Sequence, residues 1–419
     1  MAKSYRIFSL FLVLLFIVLM GSQSCLKSKR DGIPPEVVEV LNISGIHKPQ
    51  LTRFILECLQ TSDSLKIEAG FFLLANLHRN YTAYYKLADS TGNSYNINPE
   101  DFNNPSDIRG LIDSLENSYG ELSYIADSFA IDYSRVNSDF LKSNITYAFD
   151  SWNNNPLGLN YDFENFKRFI LPFKVGNEDI EPFRDLLSNH FLDLIDTSKT
   201  FTENIISLNN QINSLVIYDE RYIRNLPVQP IQELLKNGKG NLADINILKV
   251  KMFRSLGIAA TMDYTPFIAD SIGWYAWTTV ISPEGKELHL DISNGKLEQL
   301  LNNKIAKIYR RTYFEDTNSL FALKDMKEST PRFLGHFNYF DVSGNYFTTK
   351  DTSITISTKS KYTYLAVFND GKWRPIDWAL NINGESHFTR LNGGITYQAV
   401  DWNKNETISY GNAFVLGKK

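Results

Sequence analysis

The residues able to do chemistry are few and widely spaced. His289 and Asp291 stand two apart in a stretch, 288–292, that reads as a strand; period-2 alternation puts both side chains on one face, about 7 Å apart along it. An imidazole near a carboxylate is the arrangement of a general base held by an orienting acid. Such a base needs a nucleophile to deprotonate, and the sequence places none with it. Of the two cysteines, Cys58 sits with Leu51, Phe54, Ile55 and Leu59 at helical spacing, where it reads as a small buried apolar side chain. The six histidines are scattered, and His78 shares a helical face with Phe71, Leu74 and Ala75, the setting of a hydrogen-bonded core histidine. No second His, Cys or carboxylate is placed to complete a metal site there, so neither a metal nor another cofactor is expected.

The elements that must position these groups centre on 238–293. Gly238 and Gly240 lead into a run with Leu242, Ala243, Ile245, Ile247, Leu248, Val250, Met252, Phe253 and Leu256, closed by Gly257. Apolar nearly all round, with a glycine past its end, it predicts a short buried helix. Asp244 is a carboxylate favoured in the first turn by the helix dipole. Stretches 258–264, 275–281 and 288–292 read as strands, the last two joined by the Pro283-Glu284-Gly285 turn. The outcome is a buried helix packed on an antiparallel sheet.

This segment resembles the core of the transglutaminase-like superfamily, whose pattern is a Cys at a buried helix N-terminus, a His on the next strand in a His-Ala-Trp context, and an Asp on the strand after. Aligned on Asp244, the Ala276-Trp277 pair and Asp291, the Cys position is Leu242 and the His position is Tyr275; only Asp291 keeps its type. The chemistry the resemblance implies needs a thiolate to form an acyl-enzyme and a base that exchanges protons near neutral pH. Leucine cannot attack a carbonyl, and a phenol with a reference pKa of about 10 replaces an imidazole poorly. No catalytic residue is therefore assigned, and Asp291 is expected to accept a hydrogen bond from Tyr275. Two further regions widen the resemblance. Leu73-Leu74-Ala75-Asn76-Leu77, Ala148-Phe149-Asp150-Ser151-Trp152 and the stretch from Phe163 to Phe173 resemble the helical N-terminal region of lipoproteins from Bacteroides and relatives that carry such a core. YLAVFNDGKWRPIDWA and GGITYQAV resemble the C-terminal domain beside it.

Composition agrees with a folded, exported protein. At 419 residues, 43% hydrophobic and a formal charge of -4, the chain has length for two or three ordinary domains and no basic stripe to attract nucleic acid. Lys3 and Arg6 precede an apolar run from Phe8 to Met20, then Gly21-Ser22-Gln23-Ser24 and Cys25. This is the layout of a signal peptide, and a cysteine directly after it suggests lipidation at Cys25. Ordinary cleavage and an uncleaved anchor are the alternatives. Surface-exposed lipoproteins of the Bacteroides group, which this chain resembles, carry acidic residues at this place, so the basic run Lys27, Lys29 and Arg30 implies the periplasmic side of the envelope. A solvated tether is the alternative reading of the same charges. The expected organisation is α+β: a leader at 1–25, a helical N-terminal region at 26–199, a transglutaminase-like (papain-like) core at 200–303 and an antiparallel β-sandwich at 304–419. Short strand-like runs separated by Asp370-Gly371, Asn383-Gly384 and Asn392-Gly393-Gly394 argue the sandwich.

Three functions follow as expectations. The first is a non-catalytic envelope lipoprotein that binds a glycan or peptide in the vestigial cleft, lined by Trp274, Tyr275, Trp277 and His289. The second is an amide or peptide hydrolase, or an acyltransferase, with a relocated constellation using His289 and Asp291. The third is a scaffold for other envelope proteins. Trp373, Trp378, Tyr397 and Trp402 offer a second aromatic set for sugar rings. Trp373 and Trp378, five apart, are expected on opposite faces of a regular strand.

Overall fold

The run from Leu242 folds as the central helix, Leu242–Ser255. At its start the Asn241 side-chain oxygen accepts from the Ala243 and Asp244 N–H groups at 2.8 and 3.0 Å, while Asp244 accepts from the Asn241 N–H at 2.9 Å. This reciprocal cap satisfies donors that a helix start otherwise orphans. At the other end Gly257 adopts a φ of +71°. The Ile258 and Gly257 N–H groups bond back to the Phe253 and Arg254 carbonyls at 2.9 and 3.3 Å, the double closure of a Schellman turn. Nothing larger than glycine fits, because a Cβ here would stand 2.5 Å from the Ser151 carbonyl oxygen of helix Ser138–Asn154.

The computed structural model describes residues 32–222, 228–292, 295–302, 304–325, 328–403 and 406–417. The leader, Cys25 and the basic run after it lie outside them. The N-terminal layer is largely helical, as expected: Pro35–Ile43, Lys48–Gln60, Ser64–Ala75, Pro105–Tyr119, Ser138–Asn154 and Arg184–Phe191 all form helices. It also contains strands that periodicity did not reveal. β1 (Tyr81–Ala88), β2 (Ser94–Tyr95) and β3 (Ser123–Ile131) form an antiparallel sheet in the order β2-β1-β3. A register shift at Tyr84/Tyr85 breaks the alternation of β1, which removes the period-2 signal a strand normally gives.

A short parallel pair, β4 (Ile217–Tyr218) with β5 (Lys239–Gly240), leads into the central helix. Beyond it the helix packs on a five-stranded antiparallel sheet of order β10-β9-β6-β7-β8. Its members are β6 (Ala260–Thr265), β7 (Tyr275–Ile281), β8 (Glu287–Leu290), β9 (Tyr309–Arg311) and β10 (Tyr339–Asp341). The last two strands lie beyond residue 303, so the core sheet recruits chain assigned from sequence to the next domain. Thr278 Oγ1 donates to Asn246 Oδ1 at 2.9 Å, so the even-numbered side chains of β7 face the helix and Tyr275, Trp277 and Thr279 face away.

What joins helix to N-terminal layer is buried charge. Arg254 is 1% exposed; its Nε donates to the Phe169 and Ala260 carbonyls, each at 3.1 Å, and its Nη1 to those of Pro172 and Lys174 at 3.2 and 2.7 Å. Arg184 reaches the Arg254 carbonyl at 2.8 Å and those of Ile170 and Leu171 at 2.6 and 2.9 Å. Lys251 pairs with Glu181 at 3.0 Å and Glu178 at 3.6 Å. Burial lowers both arginines to about 9, which leaves them charged at neutral pH.

The C-terminal strands are β11 (Thr349–Thr355), β12 (Tyr362–Asn369), β13 (Lys372–Ile382), β14 (Glu385–Asn392), β15 (Thr396–Asn403) and β16 (Glu406–Val415). They form one curled antiparallel sheet, order β11-β14-β13-β12-β15-β16, rather than two separately bonded layers. The reason is β13: it pairs with β12 from Lys372 to Leu380 and with β14 through Asn381 and Ile382. The curl encloses Leu365, Val367, Ile376, Phe388, Leu391 and Tyr397. Both Asp370-Gly371 and Asn383-Gly384 have positive φ, as tight hairpin turns require.

Replacing Arg254 by Met strips four carbonyls of a buried donor. We expect a loss of about 3 kcal/mol or more, read as a lower urea midpoint on equilibrium unfolding.

Candidate functional site

Leu242, at the position the resemblance gives to a nucleophile, is half-buried and packs against the cluster that holds Tyr275 and Trp277. Tyr275 opens β7 and is 4% exposed. Its hydroxyl donates to the Asp291 carboxylate, and the second Asp291 oxygen accepts from the Leu297 N–H at 2.8 Å. The hydrogen bond expected from the sequence is therefore formed. Lys296 Nζ lies 4.9 Å from the centre of the Tyr275 ring, a cation over an aromatic face. Asp291 here ties the end of β8 to the start of β7 and to the helix Lys296–Leu301, and no group in this trio carries a thiolate or an imidazole.

His289 turns to a different partner set. Its Nδ1 lies 3.0 Å from the Tyr346 hydroxyl and 3.3 Å from Thr279 Oγ1. The Tyr346 hydroxyl donates to Asp263 at 2.5 Å and accepts from Trp277 Nε1 at 2.8 Å. With the phenolic proton committed to the carboxylate, His289 Nδ1 must bring its own proton, and Nε2 keeps the lone pair. Burial lowers the His289 pKa despite the attraction of Asp263 and Glu287, so the ring is neutral at pH 7. His289 lies on β8 and Asp291 just past its end, with no bond between them, and the relocated base and orienting acid stay apart.

Asp263, Glu287 and His289 bring one ligand atom each to within 4.8 Å of one another, a grouping the sequence did not reveal because it joins two strands, β6 and β8, that are not neighbours in the sheet. The set already has its cation. Arg310 donates to both Asp263 oxygens at 2.9 and 2.8 Å and to Glu287 at 2.7 Å. Asp263 and Arg310 are register partners across β6 and β9, so a metal ion would have to displace a bidentate, buried guanidinium.

No protein-family model and no curated protein matches the chain.

The other singled-out residues divide by burial. Trp277 is 0% exposed, whereas Trp274 is half-buried and leans on Phe333 with ring centres 6.2 Å apart. Cys58 is half-buried on the apolar face of its helix, and desolvation pushes its thiol up to about 12, which makes it inert. His78 lies in the turn just past helix Ser64–Ala75, and burial lowers its pKa. Trp373 and Trp378 share one face, contrary to the spacing argument. Ala366 pairs with Pro375 and Leu365 with Asp377, so Ile376 is an extra residue in a bulge and reverses the alternation. The two rings pack edge-on to Phe368 and Tyr362, 5.4 and 5.7 Å between centres. Trp402 is half-buried against the same cluster, while Tyr397 is 0% exposed within the curled sheet.

Sequence reasoning missed Lys249. It lies inside the central helix at 0% exposure, and among the described residues its Nζ has no hydrogen-bond partner. Burial lowers its pKa from 10.5 to about 8, against the attraction of Asp291. The only signal in the sequence was a lysine inside a run apolar on every side.

Two outcomes follow. Tyr275→Phe removes one buried hydrogen bond to a carboxylate and should cost about 1–3 kcal/mol, measured by chemical denaturation. Between pH 8 and 10.5 the unfolded chain holds a proton on Lys249 that the folded chain lacks, so this residue makes stability rise with pH across that window. Lys249→Met should abolish that rise and stabilise the protein at pH 7 by about 1–3 kcal/mol, seen by comparing denaturation of the two proteins at pH 7, 8, 9 and 10.

Proposed function

We propose that this chain is a non-catalytic, transglutaminase-like protein of the cell envelope, anchored through a lipid on Cys25, that recognises a glycan or peptide at the rim of a vestigial cleft. The observation that carries the reading is the buried bond between Tyr275 and Asp291 beneath Leu242. The position of the nucleophile holds a hydrocarbon, the position of the base holds a phenol whose proton goes to Asp291, and the remaining carboxylate serves as a strand tie. Recognition then falls to groups still reachable from solvent, of which half-buried Trp274 and His289 flank the closed cleft.

Burial favours a second reading. With Tyr275 at 4% and Trp277 at 0% exposure, the cleft interior offers no aromatic face, and a scaffold for envelope protein partners needs none. Relocated catalysis is the weakest of the three, since the His289 ring faces Tyr346 and Thr279.

Thermal unfolding of soluble residues 26–419 against oligosaccharides, cell-wall fragments and peptides separates these readings. A ligand at a hundred times its dissociation constant adds about 2.7 kcal/mol, a rise of a few degrees for a chain this size. We expect such a shift, lost in Trp274→Ala, with no turnover of amide or ester substrates. Turnover that vanishes in His289→Ala would overturn the non-catalytic reading, and a flat panel would leave the scaffold in its place.

A further inference from the structure

Away from the vestigial triad, a small cavity lies where the N-terminal layer meets the core sheet. Arg79, Asn80, Gly176, Arg311, His336 and Asn338 bound it. About 10 Å³ is open to the centre of a water-sized sphere, room for one particle of that size. Two donors on the residues that bound it lack acceptors. His336 is 6% exposed, and its Nδ1 stands 3.3 Å from Arg311 Nη1. A guanidinium only donates, so Nδ1 accepts and the imidazole proton sits on Nε2. That Nε2 is buried without a partner, and so is Arg311 Nε.

The charges around the cavity are also unbalanced. Arg79 is neutralised by Glu315 at 2.5 Å and lies over the Phe337 ring at 4.2 Å. Glu178 accepts from the Val175 and Gly176 N–H groups at 2.8 and 2.7 Å and faces Lys251. Arg311 lies over the Tyr264 ring at 5.3 Å and forms no ion pair among the described residues. A bound water would accept from these two donors yet bring two protons of its own that need acceptors. An anion only accepts, and it supplies the charge that Arg311 lacks, in surroundings where the attraction is weakly screened.

We propose that this cavity binds a single monatomic anion, a halide such as chloride, accepting from His336 Nε2–H and Arg311 Nε–H. The ion would couple segments 79–81 and 175–177 of the N-terminal layer to β9 and to the chain at 336–338. It is independent of the recognition function proposed above.

The test is thermal unfolding of the mature chain in sodium chloride, bromide and gluconate at equal ionic strength, together with diffraction from crystals grown in bromide. We expect a melting temperature higher by a few degrees in chloride than in gluconate, saturating with concentration, and largely insensitive to the anion in Arg311→Met. We also expect an anomalous bromide peak within hydrogen-bonding distance of His336 Nε2. Equal melting in chloride and gluconate, or an unchanged anion effect in Arg311→Met, would overturn the assignment. A water without anomalous signal at that position would do the same, and that result needs no variant to fold.

Discussion

A buried helix that carries charged side chains needs partners for them, and meeting that need for Lys251 and Arg254, though not for Lys249, shapes the molecule. Arg254 and Lys251 lie on a helix whose surroundings are otherwise apolar. Apart from the Ala260 carbonyl, their partners come from residues 169–181, where much of the backbone is irregular and its carbonyls have no ladder to join. The two problems solve each other: donors without acceptors meet acceptors without donors, and burying either alone would be costly. Arg184 closes the arrangement by bonding both the irregular segment and the Arg254 carbonyl. The N-terminal layer is thus part of the core's chemistry rather than an appendage to it.

The two faces of the core sheet are treated differently. Toward the helix, Thr278 and Asn246 exchange a hydrogen bond across an otherwise apolar contact. On the far face, Trp277 and Thr279 join a polar network through Tyr346, Asp263, His289 and Arg310, while Tyr275 bonds Asp291. Each member of that network satisfies another, which favours rigidity and makes partial occupation costly. A reactive group placed there would have to break a bond in order to work. The Tyr275–Asp291 bond and this network act in the same direction.

Much of this was legible in the sequence, for identifiable reasons. The central helix was readable because its apolar run ends in a glycine that must take positive φ, and the strands of β6, β7 and β8 because they are short, β-rich and punctuated. The tight turns at Asp370-Gly371 and Asn383-Gly384 carried their own backbone requirement. The Tyr275–Asp291 bond followed from an alignment of positions, since spacing alone does not pair residues 16 apart. What stayed hidden depends on contacts between distant segments. Nothing local announces that Lys249, Lys251 and Arg254 are interior, because a charged residue in a helix usually marks its wet face. β9 and β10 have three residues each, too few for any period. The bulges at Tyr84/Tyr85 and at Ile376 reverse side-chain alternation, which is why β1 was unseen and the faces of Trp373 and Trp378 were misjudged.

Tyr313 ties the ends of this arrangement together. Its hydroxyl donates to the Leu73 carbonyl at 3.0 Å across 240 residues, and its own carbonyl accepts from Asn80 at 2.8 Å across 233. During synthesis, helix Ser64–Ala75 is made long before the chain that seals it exists. Until about residue 313 has been made, the first layer waits with its inner surface open. Closing loops of that length is entropically slow and rewards nothing until it is complete, so the nascent N-terminal half needs protection from premature association for most of the chain's translation.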